Sequence, residues 1–163
     1  MALYFMTHLT ACVPPGAFLD GSSGFFSSPN FPDNFPTNSD CTWNISVPTG
    51  RIIKVTFLSF TLESSHLTNC VVAPPDGPRV FITNVASDDG EKEFKICGAR
   101  LPDPVYSVGN FIQVRLRSAA RFKGFNASYE AIDKEQSKQY SMIFKNVFLR
   151  DQGDLEMRVG RFP

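Results

Sequence analysis

Apolar and polar residues alternate most regularly in the middle of the chain. Trp43, Ile45 and Val47 interleave with Thr42, Asn44 and Ser46. A period of two puts the first set on one face of an extended strand and the second on the other. Pro48-Thr49-Gly50 supplies a turn, and 52–62 reads as the next strand. There Ile53, Val55 and Phe57 point one way, after which the phase slips and Leu58, Phe60 and Leu62 carry the apolar side. The slip predicts a bulge or a strand end near Phe57–Leu58. Shorter strands follow at 79–83 and 93–97. Ile112, Val114 and Leu116 oppose Gln113, Arg115 and Arg117, and then Phe125, Ala127, Tyr129 and Ala131 oppose Asn126, Ser128 and Glu130. Several short alternating strands separated by turn signals predict an all-β fold, an antiparallel sandwich or barrel.

The flanks differ. Residues 12–40 are crowded with turn residues, among them Pro14-Pro15-Gly16, Pro29, Pro32 and Pro36, and exclude a helix. At the start, 1–11 lacks a basic beginning, and its apolar run, Ala2 to Met6, is too short for a signal-peptide core. Leu9-Thr10-Ala11-Cys12 mimics a lipoprotein cleavage site, but with so short a core before it the segment reads as a leader remnant or an irregular N-terminus. Residues 133–163 carry apolar side chains irregularly, with spacings of 3 and 4 from Phe144 that would give one short amphipathic helix, interrupted by Gly153 and Gly160. That segment is expected to be a weakly structured tail.

Composition narrows the class. The 163 residues hold 16 basic and 16 acidic side chains, so a bulk polyanion binder is not indicated and no nucleic-acid partner is expected. No stretch of about 20 apolar residues is present, so no transmembrane segment is expected in the chain. Four cysteines, Cys12, Cys41, Cys70 and Cys97, stand far apart and outside any CxxC spacing, which disfavours zinc and redox readings and leaves three possible disulfide pairings. Two glycosylation sequons, at Asn44 and Asn126, lie on the polar faces of their strands, where a glycan would face water. Together these features predict a secreted or extracellular glycoprotein.

From Cys12 to Ile132 the sequence resembles the CUB domain family. The matching pieces come in order: Ser23-Gly24-Phe25-Phe26-Ser27-Ser28-Pro29-Asn30-Phe31-Pro32, Asn34-Phe35-Pro36, Cys41-Thr42-Trp43-Asn44-Ile45, Val55 to Glu63, Phe94-Lys95-Ile96-Cys97-Gly98, and Gly124-Phe125-Asn126-Ala127-Ser128-Tyr129. Phe31 and Phe35 replace a more usual Tyr. The resemblance implies a jelly-roll-like β-sandwich of two antiparallel sheets and the bridges Cys12–Cys41 and Cys70–Cys97. Each would close a loop of near 30 residues and contribute about 3–4 kcal/mol on a chain-entropy argument.

Many members of the family hold calcium through three acids that orient ligand-gripping loops. Only the first has a counterpart here, Glu63; Ala73 and Ala119 stand at the other two places. Affinity for a hard cation follows the number of carboxylates, so no metal and no cofactor are expected. The same edge gains positive charge. Arg121 and Lys123 flank Phe122, and Arg115 and Arg117 precede them, which marks a candidate binding edge for an acidic protein or a sulfated glycan. The competing expectation is a solvated surface neutralised by Glu63 and Glu130 nearby.

No catalytic residue is expected. Glu63-Ser64-Ser65-His66 groups triad chemistry in sequence, but adjacency gives no geometry and no nucleophile elbow accompanies it. Asp88-Asp89 sits in a turn-like Ser-Asp-Asp-Gly. The functional expectation is therefore a non-catalytic extracellular protein-interaction module spanning 12–132, part or isoform of a larger secreted or membrane-anchored protein. The alternatives are a stand-alone glycosaminoglycan binder of the spermadhesin kind and an accessory module of an extracellular protease.

Overall fold

A computed structural model describes residues 12–62, 77–87 and 90–136. It contains nine strands: β1 (Ala17–Asp20), β2 (Ser23–Ser27), β3 (Ser39–Ser46), β4 (Ile52–Thr61), β5 (Arg79–Ser87), β6 (Gly90–Ile96), β7 (Val105–Tyr106), β8 (Phe111–Ser118) and β9 (Gly124–Ile132). Five form one sheet in the order β1-β3-β8-β5-β6, and four form the other in the order β2-β9-β4-β7. β1 runs parallel to β3, while the β3–β8, β8–β5, β5–β6, β2–β9 and β4–β7 pairs are antiparallel. The expected β-sandwich is thus present.

Period-two alternation builds the core. Cys41, Trp43 and Ile45 of β3, Val80 and Ile82 of β5, and Ile112, Val114 and Leu116 of β8 face Ile53, Val55 and Phe57 of β4, Phe26 of β2, and Phe125 and Ala127 of β9. Phe125 is the hub. Its ring lies 5.3 Å from Trp43, 5.5 Å from Phe57 and 5.8 Å from Phe26, edge to face in each case, the arrangement that aromatic quadrupoles favour. The phase of β4 does slip after Phe57, and Phe60 and Leu62 are buried, but Leu58, expected on the apolar side, is exposed.

The turn-rich stretch holds β1 and β2, two of the three strands that alternation did not signal; the third is β7. Gly24 in β2 pairs with Tyr129 in β9, and a Cβ there would come within 2.6 Å of the Tyr129 ring. The bare backbone lets the ring pass close to it and the phenol reach the end of β1, where it donates to the Asp20 carbonyl at 3.2 Å. Burial, helped by the Asp20 charge, pushes the Tyr129 hydroxyl above its ordinary pKa.

Buried serines stitch the layers. The Ile53 N–H donates to Ser107 Oγ at 2.7 Å, the Ser107 N–H donates back to the Ile53 carbonyl at 2.9 Å, and the next residue, Val108, donates to Asn84 of β5 at 2.9 Å. Ser28 receives the Phe125 N–H at 3.0 Å, and Gly124, at φ 78°, leaves no room between that hydroxyl and the Phe35 ring for a side chain. Backbone contacts divide the chain into 1–131 and 132–163. Of the second unit only 132–136 is described. It opens as a capped helical turn in which the Asp133 N–H donates to the Gln136 side chain and the Gln136 N–H to the Asp133 carbonyl.

Candidate functional site

The alternation that sends Trp43, Val114 and Val80 inward sends charged residues outward on the same strands. Register lines them up across the five-stranded sheet. One row runs Asp40, Arg117, Arg79; the next runs Thr42, Arg115, Phe81, Lys95; a third runs Asn44, Gln113, Thr83. Arg115 grips Asp40 in a fork, Nε to Oδ1 at 2.7 Å and Nη2 to Oδ2 at 2.6 Å, and Arg117 Nε stands 3.7 Å from the same Oδ2. The fork holds the Asp40 carboxyl below the usual carboxylate range, chiefly through the Arg115 hydrogen bonds, and Asp40 in turn raises Arg115. Arg79 lies directly opposite Arg117, and like charges so placed repel unless an anion stands between them. The Lys95 ammonium sits 5.8 Å above the centre of the Phe81 ring.

A cleft of about 460 Å³ opens on this row, lined by Asn38, Asp40, Arg79, Phe81, Arg117 and Ala119 among others, and a smaller one of about 190 Å³ adjoins it at Phe81, Glu93 and Arg115. Asp40 was not foreseen. The alternation read from Thr42 to Val47 leaves it outside, whereas β3 begins at Ser39 and puts Asp40 on the charged face. The signal available was the spacing itself, since Asp40 is two residues before Thr42 in the same alternation.

The foreseen binding edge divides. Arg115 and Arg117 belong to the sheet face, while Arg121 and Lys123 line a separate shallow depression with Asn30, Pro32, Asp33 and Asn34. Phe122, named with them at the candidate edge, is half-buried and packs against the core, where the Phe35 N–H pins the Phe122 carbonyl at 2.9 Å. The expected neutraliser Glu130 lies on the other sheet, where it pairs with Lys54 at 2.8 Å; Glu63 lies outside the described residues.

The sequons also part company. Asn44 is buried, at 8% exposure, although its strand face is polar. Its Nδ2 donates to the Pro15 carbonyl at 3.3 Å, and its Oδ1 accepts from Gln113 at 2.8 Å. The water-facing placement expected for it is therefore corrected. The segment before β1 runs beside β3 and covers this position, and a polar side chain finds its partners in protein. Asn126 keeps its outward, half-exposed position on β9.

Cys12 and Cys41 are joined, closing a separation of 29 residues. Cys97 is disulfide-bonded as well, and its expected partner, Cys70, lies outside the described residues. Ala73, Ser64, Ser65, His66, Asp88 and Asp89 lie outside them too. At the place of the third calcium ligand, Ala119 is exposed and its carbonyl accepts the Asn38 N–H at 3.4 Å. A methyl group there offers no ligand to the family's ion. Among the described residues no three His, Cys, Asp or Glu side chains gather.

A two-sheet sandwich pinned by a Cys12–Cys41 bridge, with a charged outer face, is a module class with known relatives. A family model for the CUB domain matches residues 15–129. The chain belongs to the CUB domain family, whose members are non-catalytic modules. Human mannan-binding lectin serine protease 1 is 35% identical over 126 residues, which cover 74% of this chain and 18% of that protein. The chain thus spans less than a fifth of that relative's length. Among solved structures, the extracellular region of zebrafish Gpr126/Adgrg6 superposes with a TM-score of 0.60 at 29% identity, over 76% of this chain and 15% of that one. The CUB2 domain of MASP-1 bound to Ca2+ superposes with a TM-score of 0.56 at 25% identity, over 71% of this chain and 98% of that domain.

Proposed function

We propose that the chain is a non-catalytic, extracellular interaction module that grips an acidic segment of a partner protein through Arg115 and Arg117, without calcium. The observation that carries this reading is the Arg115–Asp40 fork beside Arg117. On an exposed face, Arg115 holds a carboxylate by two hydrogen bonds, the geometry in which Arg recognises such groups, and Arg117 stands 3.7 Å from the same carboxylate, which supports an acidic ligand here. The relatives support the setting, since one is part of a serine protease and another lies in an extracellular region. The MASP-1 domain binds Ca2+, whereas Ala73 and Ala119 here remove two acids such a site would use. The second bridge, Cys70–Cys97, belongs to the same reading.

Fluorescence anisotropy with a labelled oligoglutamate peptide tests it. The wild-type chain should bind equally in calcium and in chelator, and Arg115→Glu with Arg117→Glu should weaken binding at least about tenfold, the loss expected for a charge-assisted pair. Equal binding by the variant would sink the assignment. A second reading, a sulfated-glycan ligand, is favoured by Arg121 and Lys123, for which the described residues supply no ion pair. Heparin retention that depends on Arg121→Ala with Lys123→Ala, and not on the Arg115/Arg117 variant, would select it.

A further inference from the structure

The two sequons are alike in sequence and opposite in environment. N-glycosylation joins Asn Nδ2 to the anomeric carbon of a pyrophosphate-activated oligosaccharide. One C–N bond forms, one C–O bond breaks with its electron pair leaving on the pyrophosphate, and one Nδ2 proton is lost to base. The folded domain must then leave space around Nδ2 for a bulky polar chain. At Asn44 that space is filled. Nδ2 points at the Pro15 carbonyl, and Pro15 lies three residues after Cys12, which is tied to Cys41. A sugar on Asn44 would have to displace a strap held by a disulfide three residues from Asn44 itself.

Asn126 has none of these constraints. Its neighbours Phe125 and Ala127 are buried, so its side chain leaves the outer face of the four-stranded sheet. It makes no side-chain hydrogen bond among the described residues. Opposite it on β2 stands Ser27, and Phe25 is paired with Ser128, so Phe25 and Asn126 are diagonal neighbours on one face. Diagonal pairs lie about 7–8 Å apart, within reach of long and aromatic side chains. Phe25 is the most exposed large apolar residue described, at 71%. An aromatic face held open next to a free carboxamide suits the apolar C–H face of a pyranose.

We propose that the chain carries a single N-glycan, on Asn126, and that its first sugar lies over the Phe25 ring. Asn44 stays unmodified in the folded protein. The inference rests on the extracellular reading for its compartment alone; anion binding through Arg115 and Arg117 can fail while the glycan is present, and the reverse, so the two fail separately.

The full chain, sent into the mammalian secretory pathway by an appended, cleavable signal peptide, provides the test. Digestion with a peptide N-glycosidase should remove one glycan from the wild type and from Asn44→Gln, and none from Asn126→Gln. A glycan surviving in Asn126→Gln, two glycans on the wild type, or none, overturns the site. For the ring contact, Phe25→Ala should lower the Tm of the glycosylated protein by about 2–4 °C more than it lowers that of the digested protein, a shift on the scale of one aromatic contact. Equal lowering in both forms overturns the contact.

Discussion

On the outer face of the five-stranded sheet, Arg79, Lys95, Arg115 and Arg117 are set against Asp40 and Glu93, and clefts open between them. On the outer face of the four-stranded sheet, Lys54 pairs with Glu130, and the other outward positions include Ser27, Asn126, Ser128, Thr56 and the exposed apolar Phe25 and Leu58. Both faces hang on one core, and in both the outward set is the polar half of an alternation that the inward half fixes. The comparison teaches that one shared core fixes the inner halves of both sheets and lets their outer halves differ. The outer half carries the binding proposed above on one side and the glycan proposed above on the other.

The largest expected effect tests the shared core. Phe125→Ala removes the ring that touches Trp43, Phe57 and Phe26 and should cost about 3–5 kcal/mol. Urea unfolding followed by the fluorescence of the chain's one tryptophan and by far-ultraviolet dichroism should show both signals moving together. Transitions that separate would mean that the two sheets do not share a cooperative unit.

Asp40→Asn removes the fork from the cationic face. Both partners are nearly half exposed, so solvent screening limits the loss to about 1 kcal/mol or less. The sign follows from the lowered Asp40 pKa. Stability from the fork is full above the unfolded carboxyl value of about 3.9 and is lost as pH falls through the lower folded value. The Tm gap between wild type and variant should hold steady from neutral pH to about pH 5 and close in stronger acid. A gap that widens on acidification would contradict this. Freed from Asp40, Arg115 should also bind the oligoglutamate peptide more tightly.

The smallest effect belongs to the other face. Lys54→Ala removes a one-point ion pair with Glu130 rather than a fork; that pair should be worth a few tenths of a kcal/mol and should vanish in about 1 M salt. It should leave anionic-peptide binding unchanged; a loss there equal to that of the Arg115/Arg117 variant would erase the distinction between the faces.

Much of the sandwich was legible because alternation is local. Trp43, Ile45, Val114, Leu116, Phe125 and Ala127 declare their inward positions through their immediate neighbours. β1 and β2 were not legible. They are four and five residues long, β2 is built partly of Ser and Gly, and both are held as strands by partners in β3 and β9 about 25 and 100 positions away. The candidate site was half legible. Arg115 and Arg117 were named, but Asp40, 75 residues from Arg115, needed the β3–β8 register to join them.

The sequence by itself determined which strand faces turn inward, and it set the residue types at the family's calcium positions, because each depends on a residue and its near neighbours. Tertiary structure decided that Asn44 is enclosed while Asn126 is open, that Phe122 turns in, and that the arginines divide between a sheet face and a loop. Those outcomes depend on which distant backbone passes alongside, and pairing between strands far apart in sequence is fixed only when both sheets close over one core.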